Sequence, residues 1–158
     1  SCEEFEEYIP CQVTLTGIGK VEHLDNAGSV PVAPVGGVVS RQAYMLRIPL
    51  DFEYEKETVE GTYYEYILTD TIANIQIISL TAYDESHPAG TDVNELFMDY
   101  PLRQEDQLTD YKYGYMYGTV FYKIPRTLPQ AGVHRFKVVV TTRKGEEFTK
   151  ETDEITMQ

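Results

Sequence analysis

Residues 43–55 read AYMLRIPLDFEYE. Tyr44, Leu46, Ile48, Leu50, Phe52 and Tyr54 share one parity, while Arg47, Asp51 and Glu53 take the other. Successive side chains of an extended chain point to opposite faces. A period of two sustained over this length therefore reads as a half-buried strand, apolar inward and polar outward. Pro49 falls on the outward parity and has no N–H to give to a ladder, which predicts an edge position or a local bulge.

Working outward, the same alternation appears in IPCQVTLTGI, where Ile9, Cys11, Val13 and Leu15 fall together opposite Gln12, Thr14 and Thr16. The long connection that follows contains DNAGSVPVAPVGG, whose Gly and Pro content interrupts regular structure; a connection of that length is either functional or mobile. A turn at Glu60–Gly61 leads into TYYEYIL. NIQIISLTAY then reads as a more fully buried strand, because Ile75, Ile77, Ile78 and Leu80 place apolar residues on both parities. In HPAGTDVNELF, Asp92 with Glu95 three residues on resembles a capping box, and Val93, Leu96 and Phe97 have helical spacing, so one short helix is expected near 92–98. Towards the C-terminus, Lys144–Gly145 reads as a two-residue hairpin loop, and the charged strand after it as an edge facing water.

About seven strands without intervening helices predict an all-β fold. The expected architecture is a single antiparallel β-sandwich, immunoglobulin-like or transthyretin-like, with a small closed barrel as runner-up. The 158 residues suffice for one such domain, expected over 8–158, with 1–7 as a leader.

Composition narrows the partners. Twenty-six acidic residues against 13 basic ones give a formal net charge of −13, a field that repels phosphate backbones and argues against nucleic acid. No apolar run reaches the length of a bilayer span. No basic region precedes an apolar one at the start, so any export signal is expected to have been removed.

Signs of chemistry are sparse. Only His23, His87 and His134 are present, neither cysteine lies near one of them in sequence, and no GxSxG elbow occurs. His23 sits in the long connection, and His134 reads as an exposed residue beginning a strand. Asp84, Glu85, His87 and Asp92 cluster in YDESHPAGTD, but their spacing does not match the EF-hand loop; a turn is the simpler reading. No catalytic residue, metal site or cofactor is assigned. Tyr111, Tyr113, Tyr115 and Tyr117 alternate in DYKYGYMYG, so on a strand all four rings share a face. That row either stacks on a sugar or receives a partner protein, or it packs across to neighbouring strands.

Both cysteines lie in the first stretch, SCEEFEEYIPC. Cys11 follows the core parity and reads as a small buried hydrophobe, which argues against a bridge to Cys2. Ser1–Cys2 resembles the end of a bacterial lipobox, and Glu3, Glu4, Glu6 and Glu7 resemble the acidic signal of Bacteroidetes-type surface lipoproteins. AYMLRIPL, NIQIISLTAYDE and especially HPAGTDVNELF are similar to a family of Bacteroidetes lipoproteins known as a domain of unknown function. The resemblance implies lipidation at Cys2, a membrane anchor, an acidic tether over 1–7 and display at the cell outer membrane, and it brings no catalytic motif. The expected role is non-catalytic binding or structure. Its rivals are a glycan-binding module using the tyrosine row or the long loop, a surface-fibre subunit exchanging a strand along an edge, and, last, an enzyme.

Overall fold

The computed structural model describes residues 7–100 and 120–158. Twelve strands appear among them: β1 (Ile9–Ile18), β2 (Glu22–Asp25), β3 (Val38–Val39), β4 (Tyr44–Tyr54), β5 (Tyr64–Leu68), β6 (Ile72–Ser79), β7 (Phe97–Asp99), β8 (Val120–Pro125), β9 (Gly132–His134), β10 (Phe136–Thr142), β11 (Glu147–Glu151) and β12 (Ile155–Met157). They form three sheets. The largest runs β5-β1-β4-β8-β7 with β2 also on β4; the others are β11-β10-β6 and β3-β12-β9.

The all-β expectation holds, but the single antiparallel sandwich does not. Two pairings are parallel, β1 with β5 and β3 with β12, so the sheets are mixed, and they curl around a shared core. Parallel neighbours need a long connection. Here it is supplied by chain that passes through other sheets rather than by a crossover helix.

β4 carries the alternation read from its sequence over its first half, with Tyr44, Leu46, Ile48 and Leu50 buried and Asp51 and Glu53 exposed; towards its end Phe52 is only half-buried and Tyr54 is exposed. It is a central strand, flanked by β1 and β2 on one side and β8 on the other. Pro49 is therefore not at an edge; the bulge is what accommodates it. Between the pairs Ile18↔Leu50 and Glu22↔Arg47, Gly19–Val21 faces only Ile48 and Pro49. The Pro49 carbonyl accepts from Gly19 N–H at 2.9 Å, so the missing proline N–H would have pointed at this same irregularity. A Cβ on Gly19 would stand 3.1 Å from the Pro49 ring, which is why the closest residue has no side chain.

The main core collects Leu15 and Ile18 from β1, Leu46, Ile48 and Leu50 from β4, Ile77 from β6, Phe136, Val138 and Val140 from β10, and Ile155 and Met157 from β12. All three sheets thus bury one face against the others. A smaller cluster of Cys11, Val13, Tyr64 and Tyr66 lies where β5 joins β1. Cys11 is unpaired and fully buried, as its parity predicts. β6 is less buried than expected, with only Ile77 and Ser79 fully enclosed.

The helix expected near 92–98 is a single 3₁₀ turn, Asn94–Leu96, followed directly by β7. Asp92 does not cap it. Its Oδ1 accepts from Ile77 N–H at 3.1 Å and Asn94 N–H at 3.0 Å, while Val93 N–H donates to the Ile77 carbonyl at 2.7 Å. The stretch lies extended along β6, and its capping-box pattern is satisfied by strand chemistry. The hairpin between β10 and β11 stands, but its loop is the three residues Arg143, Lys144 and Gly145 rather than the two expected. Gly145 takes φ 92°, the left-handed position that closes such a loop, and Thr142 N–H donates to the Glu146 carbonyl at 2.9 Å. β11 is exposed and lies at a sheet edge, as its charge predicts. β12, beyond it, is a further buried strand that the reading of the C-terminus merged with β11.

Candidate functional site

Two features stand out once the sheets are in place: a buried cluster of rings and an exposed apolar loop. The ring cluster gathers all three histidines of the chain. His23, carried on β2, meets the Tyr44 ring at 5.6 Å, and Tyr44 meets Phe136 at 6.1 Å. His134 stacks on Phe136 at 6.2 Å with planes 11° apart, and Tyr83 contacts His134, Phe97 and His87. His134 is fully buried, which corrects its reading as an exposed strand residue. It shares parity with Phe136, Val138 and Val140, and that parity was the available signal.

The hydrogen bonds define each ring's state. A carbonyl only accepts, so His23 Nε2–H donates to the Asp153 carbonyl at 2.7 Å, leaving Nδ1 to accept the Tyr44 hydroxyl proton at 2.6 Å. His134 Nε2–H donates to the Gln130 carbonyl at 2.7 Å, and its buried Nδ1 meets no polar partner among the described residues. Burial holds both imidazoles below the ordinary histidine range, so both are neutral at pH 7. Burial likewise raises the Tyr44 and Tyr83 phenols, and the Tyr83 O–H donates to the Thr127 carbonyl at 2.6 Å. His87 pairs with Asp84 at 2.7 Å, a hydrogen bond that holds the Asp84 carboxyl below its usual range. These groups join elements: β2 and β4 to the β11–β12 connection, and the 80s turn to the chain before β9.

The loop between β2 and β3 is the opposite kind of feature. No charged residue lies between Asp25 and Arg41, in a chain of net charge −13. Val35 is 88 % exposed and Val30 65 %. The loop is nonetheless held: Asp25 and Val32 exchange both backbone bonds at 2.7 and 3.0 Å, Asn26 N–H donates to the Ala43 carbonyl, and Val38 N–H closes on the Val35 carbonyl. Gly36 and Gly37, at φ 65° and 70°, make the left-handed turn that brings the chain back to β3. The connection, expected to be either functional or mobile, is exposed and held by backbone hydrogen bonds at its base. The signal was the absence of charge, which the Gly and Pro content overshadowed.

Cys2, the expected lipidation site, and Tyr111, Tyr113, Tyr115 and Tyr117, the expected ligand face, lie outside the described residues. In the acidic cluster, Asp84 and His87 form one turn while Asp92 serves β6. No group of three or more His, Cys, Asp or Glu stands close enough to hold a metal ion among the described residues. No helix among them is long and apolar enough to cross a membrane.

No curated protein matches the chain. A family model described as a domain of unknown function, DUF5034, matches residues 18–153, from the end of β1 through the ring cluster to the carbonyl that receives His23. The match covers most of the chain and nearly every element described, and the chain belongs to the DUF5034 family.

Proposed function

We propose that this domain is a non-catalytic interaction module, held at the outer membrane surface through a lipidated Cys2, with the loop between Asp25 and Arg41 as its contact surface. The observation that carries the reading is that loop. An uncharged apolar segment, pinned at its base and raised from an acidic body, is unusual on a surface unless something covers it. His23 and His134, the groups best suited to proton transfer, are committed to backbone carbonyls inside the fold, which supports a structural rather than a catalytic use. The anchor rests on the resemblance of Ser1–Cys2 and the acid-rich leader to exported lipoproteins. Several acyl chains on one cysteine would hold the domain stably, and the acidic leader would keep it clear of an anionic surface.

The test is the mass of the N-terminal peptide of the protein isolated from its own host. An acylated Cys2 is expected, and an unmodified cysteine in that peptide overturns the anchor. The contact surface is tested separately below.

A further inference from the structure

The exposed loop between β2 and β3 is held at both ends by one segment, 152–158. Where the chain enters the loop, His23 on β2 donates through Nε2–H to the Asp153 carbonyl at 2.7 Å. Where the chain leaves it, Val38 and Val39 of β3 pair with Thr156 and Met157 of β12. Just beyond, Gln158 N–H donates to the Val39 carbonyl at 3.0 Å, and Arg41 N–H donates to the Gln158 carbonyl at 3.0 Å. On its other side β12 pairs with β9, where Ile155 stands opposite His134. Two buried, neutral histidines therefore sit against the segment that fixes the loop. The seam is short: β12 has two registered pairs with β3 and three with β9, whereas β10 and β6 share seven. Burial of Ile155 and Met157 keeps it closed.

We propose that segment 152–158 is an acid-sensitive latch: it clamps the loop while His23 and His134 are uncharged and releases it when they take up protons, with β6 and β10 still paired. His134 is the sharper of the two. It is wholly enclosed, with the Tyr83 and Phe136 rings against it and the Gln130 carbonyl accepting from Nε2–H. Its Nδ1 meets no partner among the described residues. A proton there makes a buried charge and a buried donor without an acceptor, both of them costly. Around it, Arg41 holds the Pro129 carbonyl and Arg135 pairs with Glu151, so the neighbouring charges offer the proton no counterion. At His23 the proton arrives on the nitrogen that accepts from the Tyr44 hydroxyl. The Asp153 carboxylate favours that charge and His134 opposes it, while on the same strand Glu22 is paired with Arg47 and Asp25 accepts from Ala27 N–H. Opening the β9–β12 seam and the His23–Asp153 bond lets water reach both rings, so acid favours the open form. A histidine that titrates at about 6.5 when freed, and stays neutral when enclosed, shifts this equilibrium about tenfold between about pH 7.5 and about pH 5.5. The latch goes beyond the contact-surface reading and does not rest on it.

The experiment is hydrogen exchange read by mass spectrometry on the whole chain at about pH 7.5 and about pH 5.5, each rate corrected for chemical exchange at that pH. Protection of peptides covering 152–158 and 23–43 is expected to fall about tenfold or more in acid, while peptides from β6 and β10 keep theirs. In His23→Gln and His134→Gln the side-chain NH2 stands in for Nε2–H and cannot titrate. Each variant is expected to lose part of the acid response, and the two together nearly all of it. A second readout needs no variant: the histidine ring resonances of the wild-type chain should titrate with the same midpoint as the loss of protection in 152–158. Protection of 152–158 that does not change with pH overturns the latch, as does a loss shared equally by β6 and β10. A double variant that responds like wild type, or ring midpoints apart from the loss of protection, also overturns it. No partner enters the measurement, so its outcome is independent of whether the loop is a contact surface.

Discussion

Tyr83 makes no contribution visible from its neighbours in sequence, yet it is fully buried and touches four other rings. Phe136 lies at the centre of the same group, in contact with Tyr44, Tyr83, Phe97 and His134. Phe136→Ala is expected to cost about 3–5 kcal/mol in urea unfolding, the usual penalty for an aromatic removed from a packed core. Tyr44→Phe should cost about 1–2 kcal/mol, because it removes one hydroxyl and leaves His23 Nδ1 buried without a donor. A Tyr44→Phe loss no larger than that of an exposed substitution would show that the His23 bond contributes nothing. At this scale parity told a great deal: Cys11, Val13, Leu15, Tyr44, Leu46, Ile48 and Leu50 are buried as their alternation implies, whereas Ile9 and Tyr54, at the strand ends, are exposed and Met45 is buried off the parity. Which rings meet was not legible, since Tyr83, His134 and His23 arrive from segments far apart in the chain.

The elements show where local pattern succeeds and where it stops. A period of two identifies β1 and β4 because the pleat imposes it on any half-buried strand, and the Lys144–Gly145 turn identifies the β10–β11 hairpin. It says nothing about which distant strand lies alongside, so the parallel pairs β1–β5 and β3–β12 could not be read from it. The stretch HPAGTDVNELF failed for another reason. A carboxylate placed to cap a helix can equally accept from a neighbouring strand, and Ile77 N–H was the partner available. Pro49 in a central strand was solvable only with a bulge opposite it. Gly19→Ala should therefore destabilise by about 1 kcal/mol, since the new Cβ meets Pro49 and Asp51 side chains within a confined bulge. Thermal unfolding checks this, and a neutral result would mean that the proline ring moves aside freely.

For the whole molecule, the histidines set a dependence on pH. Burial in the folded state holds His23 and His134 below the ordinary histidine value of 6.5, so the unfolded chain binds more protons just below that pH. Their contribution to stability is complete above about pH 6.5 and is lost as pH falls towards their folded values. Asp84, whose carboxyl the His87 hydrogen bond holds low, loses its contribution only in a more acidic range, below the ordinary aspartate value of 3.8. Urea unfolding is expected to show lower stability at about pH 5.5 than at about pH 7.5, with a flatter profile in the His23→Gln/His134→Gln variant. An equal slope in wild type and variant would assign the effect elsewhere. The loop behaves oppositely: Val35 lies almost wholly in water, so Val35→Ala should alter stability by no more than about 0.5 kcal/mol. A surface that folding does not need, yet the backbone holds in place, is the basis for reading this family domain as an interaction module.

The most direct test places a photo-crosslinking side chain at Val35 in the protein expressed in its own host, with the exposed Glu147 position on β11 as control. The account predicts a crosslinked species heavier than the chain at Val35 alone, with the crosslink mapped to the loop between Asp25 and Arg41. Only monomer at Val35, no different from Glu147, would contradict it.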